Sequence, residues 1–424
     1  MIQNVSHLLR ARRFLPLFAT QFLGAFNDSL FKQAVVLFVT YQLLQNPAKE
    51  FQFSSIAQAL FILPFFLLSA LSGQLADDHD KARLIRIIKF AEILIMIVGG
   101  AGLMLASIPL MLTALFAMGI HSTFFGPIKY AILPQHLRRD EVLGGTGLVE
   151  AGTYVAILLG TILAGALAAR PQYTAAAVLG FAALGFLAGR QVPPAPPAAG
   201  RLPITWHIVH ASIELVSATM HIRRLFLAIL AISFFWTIGA VLIIIFPPLV
   251  KNVLGANEQV ASLFIAIFSI GIAIGSLAIN RLLKSEVSAR FAPASVIAMG
   301  VFVLMLHFVA LTWSKIGPDL TTLQNFLLNP MAWPMILCLL GVAITGGMFV
   351  VPLYAFLTTT VPKTETARTV AANNIVNSGA MVIGALLAFA LSSLGIGPVG
   401  QLLLVAAMCL IAAWLGWKLH LACD

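Results

Sequence analysis

The sequence predicts an all-α polytopic membrane protein of twelve transmembrane helices in two six-helix halves, and three observations carry that prediction. Charge is scarce: 25 Lys and Arg with 15 Asp and Glu make 9% of 424 residues, where soluble domains carry about a quarter. Hydrophobic residues reach 60% and mean hydropathy is +0.99, too apolar for a water-facing surface. Apolar runs of about 20 residues, long enough to cross a bilayer, recur without strand alternation, which argues against an outer-membrane barrel. Soluble enzymes and nucleic-acid partners are excluded on this composition, and the net charge of +10 is a matter of topology.

The elements follow in order. Arg10, Arg12 and Arg13 precede an apolar run of roughly 30 residues, too long for a cleavable signal segment, so it is a retained first helix. Spans are predicted at 14–44, 54–76, 84–106, 109–133, 142–169 and 172–188, then at 225–249, 259–283, 292–313, 332–361, 370–393 and 398–420. With the N-terminus cytoplasmic, 19 Lys and Arg fall on that side against 4 opposite (Lys49, Arg170, Lys251, Lys315). That asymmetry places both termini inside. Between the halves, Pro193, Pro194, Pro196 and Pro197 form a stiff extended stretch. Residues 204–224 then set Trp206, Val209, Ile213, Val216 and Met220 on one face, the pattern of an interfacial amphipathic helix. The domains expected are 1–190, a linker 191–224, and 225–424. Cys338, Cys409 and Cys423 form no CxxC motif and read as small apolar residues.

The halves resemble each other. At an offset of 224 residues, Tyr130-Ala131 matches Tyr354-Ala355, Leu133 matches Leu357, Gly160 matches Gly384, and Leu163-Ala164 matches Leu387-Ala388. A parallel repeat of this kind is the plan of the major facilitator fold. Between spans two and three, Gly73-Gln-Leu-Ala-Asp77 with Lys81 and Arg83 resembles that superfamily's G-x-L-A-D loop. There the glycine allows close packing, and Gly73, Asp77, Lys81 and Arg83 are expected to latch one conformation. Gly275-Ser-Leu-Ala-Ile279 keeps the frame in the second half without the aspartate.

The first span holds Gly24-Ala25-Phe26-Asn27-Asp28-Ser29-Leu30-Phe31-Lys32. An intramembrane carboxylate costs a few kcal/mol and normally faces a cavity or a partner. Lys32 lies one turn beyond Asp28 and can pair with it, so a self-satisfied packing pair is the competing reading. This segment resembles the first helix of the bacterial lysophospholipid transporter family. Phe125-Gly126-Pro127-Ile128-Lys129-Tyr130-Ala131, Gly147-Leu148-Val149-Glu150-Ala151, Gly346-Gly347-Met348-Phe349-Val350-Val351-Pro352-Leu353 and the segment Asn373 to Ala380 resemble further segments of it.

The resemblance implies a flippase moving lysophosphatidylethanolamine and lysophosphatidylglycerol to the cytoplasmic leaflet of the inner membrane for reacylation, acting as a monomer with no cofactor or metal. It also implies functional partnership with an acyltransferase or acyl-ligase. No H-x4-D motif or adenylate-forming segment is present, so the chain is either a free-standing transporter or the transporter portion of a fusion. Asp28 and Glu150 are expected to receive the ethanolamine ammonium, and Lys129 and Lys32 the phosphate. Asn27, Tyr130, Asn373, Asn374 and Asn377 are expected to add hydrogen bonds, and Phe22, Phe26 and Phe31 to line an acyl cleft. Enterobacterial members carry an arginine in the seventh span where this chain has Ile243, so Asp28 is expected to pair within the first half. Two other readings stay open: a proton-coupled exporter of drugs or metabolites, since Asp28 and Glu150 suit a proton carrier, and a non-transporting partner of an acyltransferase.

Overall fold

The computed structural model describes residues 5–197, 207–283, 288–314, 319–359 and 366–423. In the first part of the chain come α1 (Leu15–Phe38), α2 (Pro47–Asp78), α3 (Lys81–Met104), α4 (Ile108–Ala131), the short α5 (Leu133–His136), α6 (Arg139–Leu167) and α7 (Pro171–Arg190). They are followed by α8 (Ile208–Met220), α9 (Arg223–Pro248), α10 (Glu258–Leu282), α11 (Ala292–Leu311), the short α12 (Leu323–Leu328), α13 (Ala332–Thr359), α14 (Thr366–Ser393) and α15 (Pro398–Cys423). Among the described residues eleven helices are long and apolar enough to cross a membrane, and Ala151–Leu167 of α6 is a shorter apolar twelfth. Each predicted span therefore has its helix.

Local chemistry sets the ends. Asn46 accepts hydrogen bonds from the backbone N–H groups of Ala48 and Lys49, and so caps α2 ahead of its predicted start. Pro247 and Pro248 remove two backbone donors at the end of α9, and the chain continues as a π-helical turn, Leu249–Leu254, closed by Gly255 at φ +63°. A matching π turn, Val39–Leu43, follows α1.

Compactness divides the chain into two units, residues 1–38 with 67–211, and residues 39–66 with 212–424. Within the first, α1 packs on α4, α6 and α7, and α3 on α4 and α7; within the second, α9 packs on α13, α14 and α15, and α11 on α13 and α15. The same pairings recur, as a duplication requires. The matched glycines show why. A Cβ at Gly160 would lie 2.5 Å from the carbonyl oxygen of Phe26 on α1, and one at Gly384 would strike Thr237 on α9. Each glycine admits the first helix of its half to close approach.

In the first unit the helix ends carry the polar chemistry. Glu141, 2% exposed at the side chain, sits at the start of α6 and anchors the N-terminal segment. It accepts hydrogen bonds from Arg13 at 2.7 Å, the Arg138 backbone at 3.0 Å, and His7 at 3.2 Å. Arg13 and then the Arg138 amide outweigh burial and draw its carboxyl down to about 2. The proline stretch is docked. Asp80 accepts from the Ala195 amide at 3.1 Å, and the Lys81 amide donates to the Ala195 carbonyl at 3.0 Å.

In the second unit Glu50 is 1% exposed and takes Lys251 at 2.7 Å and Asn252 at 2.5 Å. Lys251 also donates to the carbonyls of Thr40 and Leu44, satisfying the end of the π turn. Helix α8 leaves Ile213 63% exposed, as an interfacial helix would. Of its predicted face, Trp206 and the Val209 side chain lie outside the described residues.

Candidate functional site

The centre of the first unit is a cluster of ionisable side chains built by three helices. From α1 come Asn27 and Asp28, from α3 Lys89 and Glu92, and from α4 His121 and Ser122. Lys89 and Glu92 stand at i and i+3, which puts them on one helix face. Their charged ends meet at 2.5 Å with both side chains at 0% exposure. The other Glu92 oxygen accepts from the Asn27 amide at 2.8 Å. His121 joins the two carboxylates, with Nε2 3.3 Å from Glu92 and Nδ1 3.9 Å from Asp28. Ser122 donates to Asp28. The Lys89 ammonium also lies 5.3 Å from the centre of the Phe125 ring, on which His121 stacks in parallel. Glycine makes the room: a Cβ at Gly24 would come within 2.7 Å of Lys89 Nζ.

Asp28 is the member of this cluster open to a ligand. Its side chain is 20% exposed where Glu92 shows none. Among the described residues, Asp28 Oδ1 and Asn27 Oδ1 accept no hydrogen bond. Both oxygens are buried on adjacent residues of α1, and as unfilled acceptors, one of them a carboxylate oxygen, they suit a cationic donor such as an ammonium group.

The structure brings together some predicted residues and separates others. Asp28 finds partners within the first half, as expected from Ile243, but they are Ser122 and His121. Lys32 lies one turn along α1 within electrostatic reach of Asp28. Lys129 stands eight residues beyond His121, about 12 Å along the helix, with its ammonium 4.8 Å over the Tyr130 ring. It does not join the cluster. Phe26 and Phe31 are packing residues, contrary to the expected acyl cleft. The Phe26 ring lies 4.5 Å from that of Phe181 on α7, and Phe31 is fully buried against Gly99 of α3. The side chain of Glu150 lies outside the described residues.

In the second unit, Asn377 accepts from Ser233 at 2.8 Å and donates to the Tyr354 hydroxyl at 3.4 Å. Asn373 is 0% exposed, and neither of its amide atoms has a hydrogen-bond partner among the described residues. A buried amide left so is a place for a ligand or water to complete. Asn374 is exposed.

The loop motif also changes on inspection. A Cβ at Gly73 would meet nothing within 4 Å, so close packing is not what glycine serves there. Gly275 has that role, since a Cβ on it would strike the Ile344 backbone of α13. The Asp77 side chain lies outside the described residues. Asp80 caps α3 through the Arg83 amide at 2.8 Å, Lys81 is 3% exposed, and Arg83 is exposed.

Sequence reasoning missed Lys89, Glu92, His121 and Ser122. Lys89 lies only five residues into its predicted span, where a basic residue reads as one of the 19 cytoplasmic topology charges. The available signal was the i, i+3 pair of opposite charges inside a segment predicted to lie in lipid.

Comparison with known proteins agrees with the fold and the motifs. The lysophospholipid transporter LplT of Citrobacter koseri is 29% identical over 374 residues, covering 87% of this chain and 86% of that protein. That of Escherichia fergusonii is 28% identical over 368 residues, covering 86% and 84%. The resemblance to this group read from the motifs is thus matched along most of the chain. Among solved structures, the nucleoside transporter NupG superposes with a TM-score of 0.70 at 12% identity, covering 96% of this chain and 99% of that one. A bacterial homologue of the human lysosomal transporter Spinster superposes at 0.65 and 13%, covering 99% of each. At such identity these two show the fold alone. The family model described as Major Facilitator Superfamily matches residues 17–385, and with most of the sequence so matched on a twelve-helix multi-pass fold, the chain belongs to the major facilitator superfamily.

Proposed function

We propose that the protein carries lysophospholipids, chiefly lysophosphatidylethanolamine and lysophosphatidylglycerol, from the outer to the cytoplasmic leaflet of the bacterial inner membrane by alternating access, for reacylation by a partner acyltransferase or acyl-ligase. It does so as a transporter and not as an enzyme, with both termini cytoplasmic. One observation carries the reading: Asp28, Lys89, Glu92 and His121 are gathered inside a membrane-spanning unit. Such groups are costly in a bilayer and persist where they serve a polar cargo. The relatives named lysophospholipid transporters supply the cargo class.

Asp28 Oδ1 and Asn27 Oδ1 receive the ammonium, with Glu92 held by Lys89 as the fixed background charge. Glu150 adds a second carboxylate from α6. Lys32 holds the phosphate through charge-assisted hydrogen bonds, and Lys129 with Tyr130 meets it further along its path. Asn373, Asn374 and Asn377 contribute neutral hydrogen bonds from the second half. Gly73, Asp77, Lys81 and Arg83 hold one conformation of the loop between α2 and α3.

Purified protein in liposomes is expected to move labelled lysophosphatidylethanolamine well above protein-free vesicles, and Asp28→Asn to lower that rate at least tenfold, the scale of losing one charged hydrogen bond. Transport by the wild type no faster than in empty liposomes rejects the lipid reading. The Asp28–His121–Glu92 chain favours one second reading, a proton-coupled exporter, because it joins two carboxylates through an imidazole. Collapse of the proton gradient separates the two: it stops the exporter and leaves a passive flippase running.

A further inference from the structure

Phe26 and Phe31 are packed into the first unit, which leaves half-buried Phe22 alone of the three rings expected to line its acyl cleft. The unit contains another cleft. Between α2, α3 and α4 runs a cavity of about 370 Å³, within the ~300–1,000 Å³ range of small-ligand clefts and at its narrow end. Its α3 wall runs from Leu84 to Ile95 and its α4 wall from Ala117 to Ile128, with Leu75 of α2 closing one side. Each wall covers eleven residue steps, about 16–17 Å at 1.5 Å per residue. That matches the ~15 Å depth of one leaflet, half of a ~30 Å hydrocarbon core. The walls are hydrocarbon but for Ser72 and His121. His121 is the side chain this cavity shares with the polar cluster, where it reaches Asp28 and Glu92.

We infer that this groove is the acyl-chain site of the transporter, taking one hydrocarbon chain whose charged end is read on the other side of the His121 ring. The inference rests on the lysolipid reading above. A narrow apolar slot of one leaflet's depth, backed by an imidazole of a charged cluster, fits a molecule with one chain and an ionic head. A diacyl lipid has a second chain that the slot does not house. Selection for lysolipids is therefore a matter of chain number at the groove, separate from headgroup recognition at Asp28.

Ala91→Trp and Ala117→Trp each narrow the groove from one wall and leave every ionisable side chain of the cluster in the sequence. In liposomes, both variants are expected to slow uptake of 16-carbon lysophosphatidylethanolamine about tenfold and to slow an 8-carbon analogue, which fills less of the groove, by a smaller factor. Equal effects on both chain lengths, or none on either, overturn the inference. A second measurement uses the unaltered protein: a lysophosphatidylethanolamine with a diazirine at its chain end should label residues 84–95 or 117–128. Excess unlabelled lysophosphatidylethanolamine should suppress that labelling, and diacyl phosphatidylethanolamine should not. Labelling elsewhere, or equal suppression by both lipids, marks the groove as a site of ordinary membrane lipid and overturns the proposal. If the wild type moves no lysolipid at all, it is the proposed function that fails.

Discussion

Burying Lys89 against Glu92 takes two full charges out of water, and their mutual attraction offsets this only when the remaining hydrogen-bonding capacity is filled. Here Asn27 donates to the carboxylate at 2.8 Å and the His121 ring lies 3.3 Å from it. The ammonium gains the Phe125 face. Replacing one partner alone leaves an uncompensated charge, which costs about 3–5 kcal/mol in buried pairs. Lys89→Met is therefore expected to lower the thermal unfolding midpoint in detergent, while Lys89→Met with Glu92→Leu returns most of the loss. A double variant as unstable as Lys89→Met alone would show that the two side chains are not energetically coupled. The double variant should still transport poorly, because Asp28 then loses the fixed charges that orient His121. Stability and uptake separate in this pair, which a purely packing role would not allow.

At the scale of helices, Gly160 and Gly384 do one job twice. Each lies on the helix that leans on the first helix of its half, and each leaves no room for a Cβ. Gly160→Val would push branched methyls into the α1 backbone at Phe26. Overpacking of this sort costs typically 1–3 kcal/mol, so the variant should melt earlier and accumulate less in membranes. Gly73→Ala, on α2 in open space, should leave the melting midpoint within about 0.5 kcal/mol of wild type. If both variants behave alike, the close-approach account is wrong. The Gly160–Gly384 match was readable in the sequence, because a repeat preserves positions where backbone meets backbone. Its physical reason was not readable, since nothing in a residue string distinguishes a glycine at a helix crossing from Gly73 at a helix end. The same limit hid His121 and Ser122, which become partners of Asp28 only when α4 lies against α1.

For the whole molecule, the twelve spans were legible because crossing a bilayer imposes a length and an apolarity that few residues can disguise. The candidate site was legible only in part: Asp28 stood out by its cost in lipid and Asn27 by the family resemblance, whereas Lys89 was hidden by the rule that reads basic residues near span ends as topology. Removing Lys89 from that count leaves 18 Lys and Arg against 4, so the orientation argument keeps its strength. Lys251, one of those 4, is held by Glu50 and two backbone carbonyls, and therefore weighs as a structural group as well as a sidedness marker. Both termini are expected in the cytoplasm. A fluorescent protein fused after Asp424 should fluoresce, and alkaline phosphatase fused there should be inactive. In a background without native cysteines, Lys49→Cys and Arg170→Cys should react with a membrane-impermeant maleimide from outside intact cells. Arg83→Cys should react only after permeabilisation. Labelling of Arg83→Cys from outside would invert the topology, and with it the leaflet from which the proposed cargo is drawn.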